Sequence, residues 1–346
     1  MIKQIFILSI VSLFVVLPAS GQEIKVGQSA ALSGPTQFLG KHFRIGLMSF
    51  FTKVNKEGGV KGLTISLETK DDKYEPVLTI KNTEALIRSD VFLIIGEIGT
   101  PTSKVAVPII EQKKIPFLFP FTGAEFLRNP VKKYIYNYRA SYYQETEALV
   151  ERMTKDLGIK KIAAFIQNDA YGEAGLAGIK KALAKRNMSL AAEGRYKRNT
   201  MALIKGFKKV ESASPDAVIM IGAYKPCAGF IKLAKRKNKN WVMANVSFVG
   251  SKAILKELGA LGDKVVISQC VPFPFDVSVP IVKEYQTNLK AYDKNAGVGF
   301  VSLEGYIAGK LLFEILSIAA CHAFEVLPRL SGTLPLSSLS VTRLHA

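Results

Sequence analysis

Residues 92–126 constrain the fold more than any other stretch of the chain. They begin with an apolar run, residues 92–95 (FLII), which has the length of a buried parallel strand. A hydroxyl-rich loop follows, after which Thr100 and Pro101 predict a helix start with Thr100 as the capping residue. A second apolar run, residues 116–119, ends in another turn. This order is typical of a doubly wound sheet, in which both loops lie at the carboxyl ends of neighbouring strands.

The two loops predict a site for a carboxylate or a similar anion. Thr100 lies in the first loop and Thr122 in the second, so each loop offers a hydroxyl group. The first loop also begins a helix, whose free backbone N–H groups and dipole favour negative charge. Ordinary capped turns contain the same residue types, so the prediction depends on two such loops lying one helix apart.

The same alternation of strands and helices continues through the chain in two blocks. Strand-length apolar runs separated by helical segments extend over residues 23–269, a pattern typical of two parallel α/β lobes. No internal sequence repeat is evident. We expect residues 23–140 and about 272–316 to form a first ligand-binding lobe and residues 141–271 to form a second.

The N-terminus has the features of a secretory signal peptide ending at residue 21. Lys3 supplies the positive charge, residues 5–17 form the apolar core, and residues 19–21 (ASG) are a small-residue cleavage site. The apolar run is short for a membrane span, and no later run is longer. The sequence therefore predicts a soluble protein exported to the periplasm.

The formal charge of the chain is +19, and it falls by one to +18 when Lys3 is removed with the signal peptide. Such a charge could attract nucleic acid or an anionic membrane surface. However, the lysines are scattered along helix-like segments, and no nucleic-acid-reading motif is present. We therefore expect a solvated basic surface and no nucleic-acid partner.

Catalytic and metal-binding residue types are scarce. The chain has three histidines, two of which lie beyond residue 320, so neither a histidine triad nor a histidine metal cluster is indicated. Cys227 is better explained as a small buried residue than as a nucleophile, because no histidine is near it in sequence. We expect no enzymatic activity, no catalytic or metal site and no cofactor. One disulfide among Cys227, Cys270 and Cys321 stays an open alternative.

Several motifs together resemble one protein family. They occupy residues 31–35 (ALSGP), 55–62 (NKEGGVKG), 71–72 (DD), 74–76 (YEP), 96–103, 116–127, 168–172 (NDAYG), 224–226 (YKP) and 280–285. Over about residues 23–315 the chain resembles the branched-chain amino-acid (leucine)-binding type of periplasmic substrate-binding protein, one of the class I binding proteins of ABC importers. The resemblance implies an α/β fold of two Rossmann-like lobes with parallel sheets, joined by a three-crossover hinge that closes over a ligand.

The resemblance also implies which residues contact the ligand. The carboxylate-binding positions of the family correspond to two loops of the first lobe, with Gly99 and Thr100 in one and Phe121, Thr122 and Gly123 in the other. The aromatic positions of the second lobe correspond to Tyr171 and Tyr224. Both tyrosines follow predicted strands, where their rings can cover apolar ligand surface and their hydroxyls can form hydrogen bonds.

Two departures from the family pattern bear on the ligand. Leucine-binding members have an aromatic residue after Ser-Gly-Pro, where this chain has Leu39, and they have a glutamate for the ligand ammonium, where residues 244–248 (ANVSF) contain no acid. A desolvated ammonium without a carboxylate is costly. Either Asp169 or Glu173 replaces that glutamate, or the ligand lacks an α-amino group. Amides, urea-like compounds and simple carboxylates are the alternatives.

The C-terminal stretch, residues 317–346, differs in composition from the rest of the chain. Lysine, frequent elsewhere, last occurs at Lys310, and serine and leucine then dominate without a clear period. A frameshifted or disordered tail is predicted, with an unusual but genuine edge segment as the alternative.

The combined features predict a function in solute binding. We expect a monomer that captures an amino acid, amide or small carboxylate and delivers it to an ABC permease in the membrane. The alternative is a ligand-sensing protein that docks a sensor or chemoreceptor.

Overall fold

The computed structural model describes residues 23–326, with side chains to residue 320. The chain forms two five-stranded sheets, and all strands within each sheet are parallel. The first sheet contains β1 (Glu23–Ala30), β2 (Thr64–Asp71), β3 (Leu93–Ile95), β4 (Phe117–Leu118) and β5 (Ile135–Tyr136). The second contains β6 (Ile162–Gln167), β7 (Glu193–Tyr196), β8 (Ala217–Ile221), β9 (Val242–Asn245) and β10 (Val266–Ile267). The predicted two-lobed parallel α/β architecture is therefore confirmed.

The two sheets have the same strand order. It is β2-β1-β3-β4-β5 in the first sheet and, read in the matching direction, β7-β6-β8-β9-β10 in the second. No sequence repeat had indicated this similarity. Such sheets bind ligands beyond the carboxyl ends of their strands.

The helices connect the strands and cover the faces of the sheets. They are α1 (Gln37–Lys56), α2 (Pro76–Arg88), α3 (Thr100–Lys113), α4 (Tyr142–Glu151), α5 (Ala170–Ala184), α6 (Ile204–Ser212), α7 (Tyr224–Arg236), α8 (Ser251–Leu258), α9 (Pro280–Tyr292) and α10 (Phe300–Val326). A π-helical turn at Arg152–Asp156 extends α4. The helix α10 packs closely on α1. The distance is short enough that a Cβ added at Gly305 would lie 2.1 Å from the Phe43 carbonyl oxygen.

The chain passes between the two sheets twice within the described residues. The first passage lies between β5 and α4, and the return lies between β10 and α9. The third crossover implied by the resemblance is not among residues 23–326. The largest hydrophobic cluster contains residues of both lobes, including Phe121 of the first and Phe248 of the second, so the lobes are in direct contact.

Two local predictions differ from the structure. Gly99, not Thr100, is the N-cap of α3, and Thr100 is the first helical residue. The hydroxyl of Thr100 is bonded to Thr122 instead of to the helix backbone. At the C-terminus, α10 continues past Ser317, where we predicted a change, to Val326. Leu312 and Leu316 are buried on this helix, which gives it an apolar face to pack.

Several other predictions concern residues beyond the described range. The signal peptide and residues 327–346 of the predicted tail lie outside it.

Between residues 23 and 326, no helix is long and apolar enough to span a membrane. Cys227 and Cys270 are both free thiols, and the side chain of Cys321 is not described.

Candidate functional site

The two predicted threonines meet at the carboxyl ends of adjacent strands of the first sheet. Thr100 follows β3 and Thr122 follows β4; both are fully buried, and their Oγ1 atoms lie 2.6 Å apart. The Tyr142 hydroxyl accepts a hydrogen bond from Thr122 Oγ1 at 3.3 Å. Burial raises the pKa of Tyr142 to about 12, although nearby Arg139 opposes the rise. Three neutral hydroxyl groups therefore form one buried chain.

Gly99 lets the first loop approach an aromatic ring. Its φ of +108° is accessible mainly to glycine, and a Cβ there would lie 2.3 Å from the ring of Tyr74. Tyr74 itself has a positive φ of 63°, and its backbone N–H donates to Asp72 Oδ1 at 2.8 Å. Burial raises the pKa of Asp72 to about 6. The carboxylate of Asp72 thus helps to hold Tyr74 against the loop.

Aromatic rings from both lobes surround Phe248, which lies just after β9. The ring centroid of Phe248 is 4.6 Å from that of Tyr171, 5.7 Å from that of Phe121 and 6.2 Å from that of Tyr74. Tyr171 also packs on Tyr142, with a centroid separation of 5.4 Å. We call these five residues, Tyr74, Phe121, Tyr142, Tyr171 and Phe248, the interlobe aromatic cluster.

Tyr171 of the second lobe packs on Tyr142, whose hydroxyl accepts from Thr122. Its side chain is fully buried, and its hydroxyl has no hydrogen-bond partner among the described residues. Burial raises the pKa of this phenol well above its usual range, so the group is a neutral donor and acceptor. An unpaired buried hydroxyl is costly unless a further molecule satisfies it.

Tyr224 lies in a different part of the lobe interface. Its ring is 6.4 Å from that of Phe38 in α1, and Phe38 stacks on His42 at 4.0 Å. Leu39, the residue that we compared with the aromatic position of the family, is fully buried in the core. Phe38, which precedes Leu39 in the sequence, therefore supplies the aromatic ring that lies beside Tyr224. The structure does not join Tyr224 to the Thr100–Thr122 pair.

The two acids considered for an ammonium group are already engaged. Asp169 caps α5 by accepting from the backbone N–H groups of Tyr171 and Gly172 at 3.0 and 3.4 Å, and it accepts from Gln167 Nε2 at 2.7 Å. Burial raises its pKa. Glu173 forms an ion pair with Arg195, and its side chain is 54% exposed. Glu173 is therefore a surface residue in this arrangement.

A buried ionic network lies beside the cluster, where the chain passes between the lobes. Arg139 Nη1 donates to both carboxylate oxygens of Glu304 at 2.7 Å, and its Nη2 donates to Ser247 Oγ. Arg139 also lies over the ring of Phe121, 4.3 Å from its centroid. Glu145 completes the network by accepting from the Ser247 backbone N–H at 2.8 Å. The network thus connects α10 of the first lobe with α4 and the β9 loop of the second.

A second polar contact connects loops of the two lobes. Arg198 Nη1 donates to the Tyr74 carbonyl oxygen at 2.5 Å, and its Nη2 lies 2.9 Å from Glu75 Oε2. Asn199 Nδ2 donates to the other oxygen of Glu75 at 2.6 Å. We call Glu75, Arg198 and Asn199 the interlobe clasp.

Sequence reasoning missed several of these residues. The predicted site residues did not include Tyr74, Tyr142, Phe248 or Arg139, although Tyr74 lies in a motif quoted for the resemblance.

Burial raises the pKa of the Cys227 thiol well above its usual range, which does not favour a nucleophile. Among the side chains described, those of residues 23–320, no group of three or more His, Cys, Asp or Glu could hold a metal ion.

Comparison with known proteins relates this geometry to one family. A family model described as periplasmic binding protein matches residues 23–325. The Leu/Ile/Val-binding protein BraC3 of Rhizobium johnstonii is 25% identical over 256 residues, which cover 71% of this chain and 66% of the relative. The Leu/Ile/Val-binding protein homolog 3 of Brucella melitensis is 25% identical over 165 residues, 47% of this chain and 44% of the relative. The chain therefore spans less than two thirds of these relatives.

Solved structures extend the comparison. A possible leucine/isoleucine/valine-binding protein from Rhodopirellula baltica superposes with a TM-score of 0.83 and 38% identity, covering 87% of this chain and 83% of that one. A leucine-binding protein from Thermotoga maritima superposes with a TM-score of 0.77 at 16% identity, covering 86% and 83%. The second comparison shows the fold alone.

Proposed function

Because the chain belongs to the periplasmic binding protein family, in its branched-chain amino-acid type, we propose that it is an extracytoplasmic solute-binding protein. It captures an amino acid or a related small polar compound between its lobes and delivers it to an ABC permease from the periplasm. The lobes hinge apart to admit the ligand and close to enclose it.

One observation carries this proposal. The Thr100 and Thr122 hydroxyls of the first lobe and the unpaired Tyr171 hydroxyl of the second belong to one buried contact region. Donors from two lobes that converge on one region can hold the polar end of a small molecule, and the aromatic rings can cover its apolar part. The names of the Leu/Ile/Val-binding relatives support a ligand of this size.

A thermal-shift screen over amino acids, amides and short carboxylates tests the proposal. A ligand at about a hundred times its dissociation constant stabilises the folded state by about 2.7 kcal/mol, which raises the melting temperature measurably. We expect at least one of these compound classes to stabilise the full mature chain. Failure of every class would contradict the proposal.

The ligand found in that screen then allows a test of the predicted threonines. Thr100→Val and Thr122→Val each remove one hydrogen-bonding hydroxyl at nearly constant volume. A hydrogen bond to a charged group contributes about 1.5–3 kcal/mol, so we expect affinity to fall roughly ten- to a hundredfold in calorimetric titration. Thr287→Val is the matched control, because that exposed hydroxyl of α9 bonds only to the Lys283 carbonyl oxygen. Wild-type affinity in both test variants would place the ligand elsewhere.

A further inference from the structure

A cavity in the second lobe, away from the contact between the lobes, has a volume of about 380 Å³. It is lined by the end of α7, by the loop before β9 and by the segment before β10. Its volume lies within the roughly 300–1,000 Å³ typical of small-molecule sites. We propose that this cavity binds a phosphorylated sugar, a ligand distinct from the one captured between the lobes.

The cavity lies at the edge of the second sheet that is opposite to the interlobe aromatic cluster. Trp241 directly precedes β9, and Val265 directly precedes β10, so the cavity is at the amino ends of these strands. Phe248 of the interlobe aromatic cluster follows the other end of β9. A compound in the cavity is therefore separated from that cluster by the length of a strand.

The charges that line the cavity favour an anion. Three lysines, Lys235, Lys239 and Lys264, and one acid, Asp263, line it, so three positive charges and one negative charge give a formal charge of +2. A phosphate monoester carries up to two negative charges and accepts several hydrogen bonds, and lysine is a common partner of such groups.

The surrounding ion pairs leave this positive charge in place. Lys237 and Lys239 both bind Glu211, each with its Nζ 3.1 Å from a carboxylate oxygen, so one acid serves two lysines. The ammonium groups of Lys235 and Lys264 form no hydrogen bond or ion pair with a described residue. Lysines at the end of α7 also complement the helix dipole, but Lys264 belongs to a different segment of the chain. The dipole of α7 therefore does not explain why these lysines converge.

An aromatic wall favours a ligand with a ring. The ring of Trp241 is held from behind by Phe207 and Phe230, with centroid separations of 5.8 and 6.3 Å. Lys239 Nζ lies 5.9 Å from the centroid of the same ring, which places a positive charge beside the aromatic face. Such a face covers the C–H groups of a sugar ring while the lysines bind its phosphate.

The remaining polar side chains suit hydroxyl groups. Asn238, Asn240 and Asp263 line the cavity, and their side chains form no hydrogen bond with a described residue. Amides donate and accept, and a carboxylate accepts, so the three together match the hydroxyls of a sugar. Because Asp263 repels a second anion, inorganic phosphate makes only part of these interactions.

Fluorescence of the wild-type mature chain tests the proposal, because Trp241 is the one tryptophan of the sequence. The probes are the 1- and 6-phosphates of glucose and of N-acetylglucosamine, with the parent sugars and inorganic phosphate as matched controls. We expect at least one sugar phosphate to change the emission saturably and to bind at least about tenfold more tightly than its parent sugar and than inorganic phosphate. Equal affinity for inorganic phosphate would indicate an adventitious ion only. No saturable change for any sugar phosphate up to about 10 mM would also overturn the proposal.

A pair of double variants distinguishes the cavity from the general basic surface. Lys235→Gln with Lys264→Gln should lower the affinity for the bound sugar phosphate at least about tenfold in calorimetric titration. Lys81→Gln with Lys104→Gln removes the same charge from exposed positions of α2 and α3 in the first lobe, and we expect wild-type affinity. All four lysines are exposed, so neither double variant disturbs the core. Equal losses in both would overturn the proposal.

Two further measurements identify where and from what source the sugar phosphate binds. Thr100→Val alters the site between the lobes and should leave this binding unchanged, whereas a loss would place the compound between the lobes and overturn the proposal. A sugar phosphate can be free or part of a lipid headgroup. Phosphatidylcholine vesicles with and without phosphatidylinositol 4-phosphate separate these sources: cosedimentation that requires Lys235 and Lys264 identifies a headgroup, and its absence identifies a free ligand.

Discussion

At the scale of single residues, His42 is a titratable group placed at the lobe interface. It stacks on Phe38 at 4.0 Å, and its pKa is lowered from 6.5 to about 4, first by burial and second by the positive charge of Lys252. The folded protein therefore keeps this imidazole neutral over a range of pH in which the unfolded chain protonates it.

This difference predicts a pH dependence of stability. Between pH 6.5 and about 4 the unfolded chain binds a proton at His42 that the folded chain does not, so the free energy of unfolding falls as pH falls through this range. Above pH 6.5 the histidine makes no such difference. In denaturant titrations from pH 7 to 4, we expect His42→Gln to lose less stability than the wild-type chain. Parallel curves would contradict the prediction, since the other titrating groups are common to both proteins.

At the scale of elements, the loop between β3 and α3 depends on one backbone conformation. Gly99 combines a φ of +108° with close packing against Tyr74. An alanine there meets two separate penalties, the strain of a positive φ and the overlap of its Cβ with the ring.

A pair of glycine variants separates these penalties. Gly99→Ala should lower the free energy of unfolding by about 2–6 kcal/mol, combining about 1–3 kcal/mol of backbone strain with about 1–3 kcal/mol of overpacking. Gly58→Ala is the control, because Gly58 has a similar φ of +100° but no atom within 4 Å of the added Cβ. We expect denaturant titration to show only the strain penalty in the control. Equal losses in both variants would mean that contact with Tyr74 is unimportant.

At the scale of the whole molecule, buried charge connects the two lobes. Arg139 contacts Glu304 of α10, Glu145 of α4 and Ser247 of the β9 loop, and all four side chains are almost fully buried. Removing one member leaves a buried charge without its partner, which is far more costly than losing an exposed pair.

Substitution of Arg139 tests this connection. Arg139→Met should destabilise the chain by about 3–5 kcal/mol in denaturant titration. Arg152→Met, which breaks the exposed Arg152–Asp156 pair, should change stability by less than about 1 kcal/mol. Adding Glu304→Gln to Arg139→Met should recover part of the loss, because it removes one of the two carboxylate charges, those of Glu304 and Glu145, that lose their partner. A loss no larger than that of the control would show that the network contributes little.

We expect the interlobe clasp to hold the two lobes together in the ligand-free protein. Arg198→Ala removes the contacts to the Tyr74 carbonyl and to Glu75, so the lobes should separate more often and the radius of gyration from X-ray scattering should increase. Raising the salt concentration to about 1 M should move the wild-type value towards that of the variant, because these partly exposed charges are screened. Lys237→Ala removes an ion pair within the second lobe and should leave the scattering unchanged. Identical scattering of Arg198→Ala and wild type would contradict this role.

The sequence by itself determined the architecture and the position of the two hydroxyl-rich loops at strand ends. Apolar runs of strand length alternating with helical segments specify parallel α/β lobes, because buried parallel strands must be apolar on both faces. The two loops that contain Thr100 and Thr122 were also predictable, since turn residues directly follow the apolar runs that form β3 and β4. These are properties of neighbouring residues, which the local pattern records.

Only the tertiary structure decided which side chains meet. Thr100 is the first residue of α3 and not its cap, and its hydroxyl is bonded to Thr122, 22 residues further along the chain. Phe248 and Tyr171 meet because β9 and β6 end on the same edge of one sheet, and Tyr224, equally well placed in sequence, packs on Phe38 instead. The periodicity of apolar residues predicts on which side of a strand or helix a side chain lies, but not which residue it contacts. Those contacts depend on strand order and on how the lobes meet, which bring together residues far apart in the sequence.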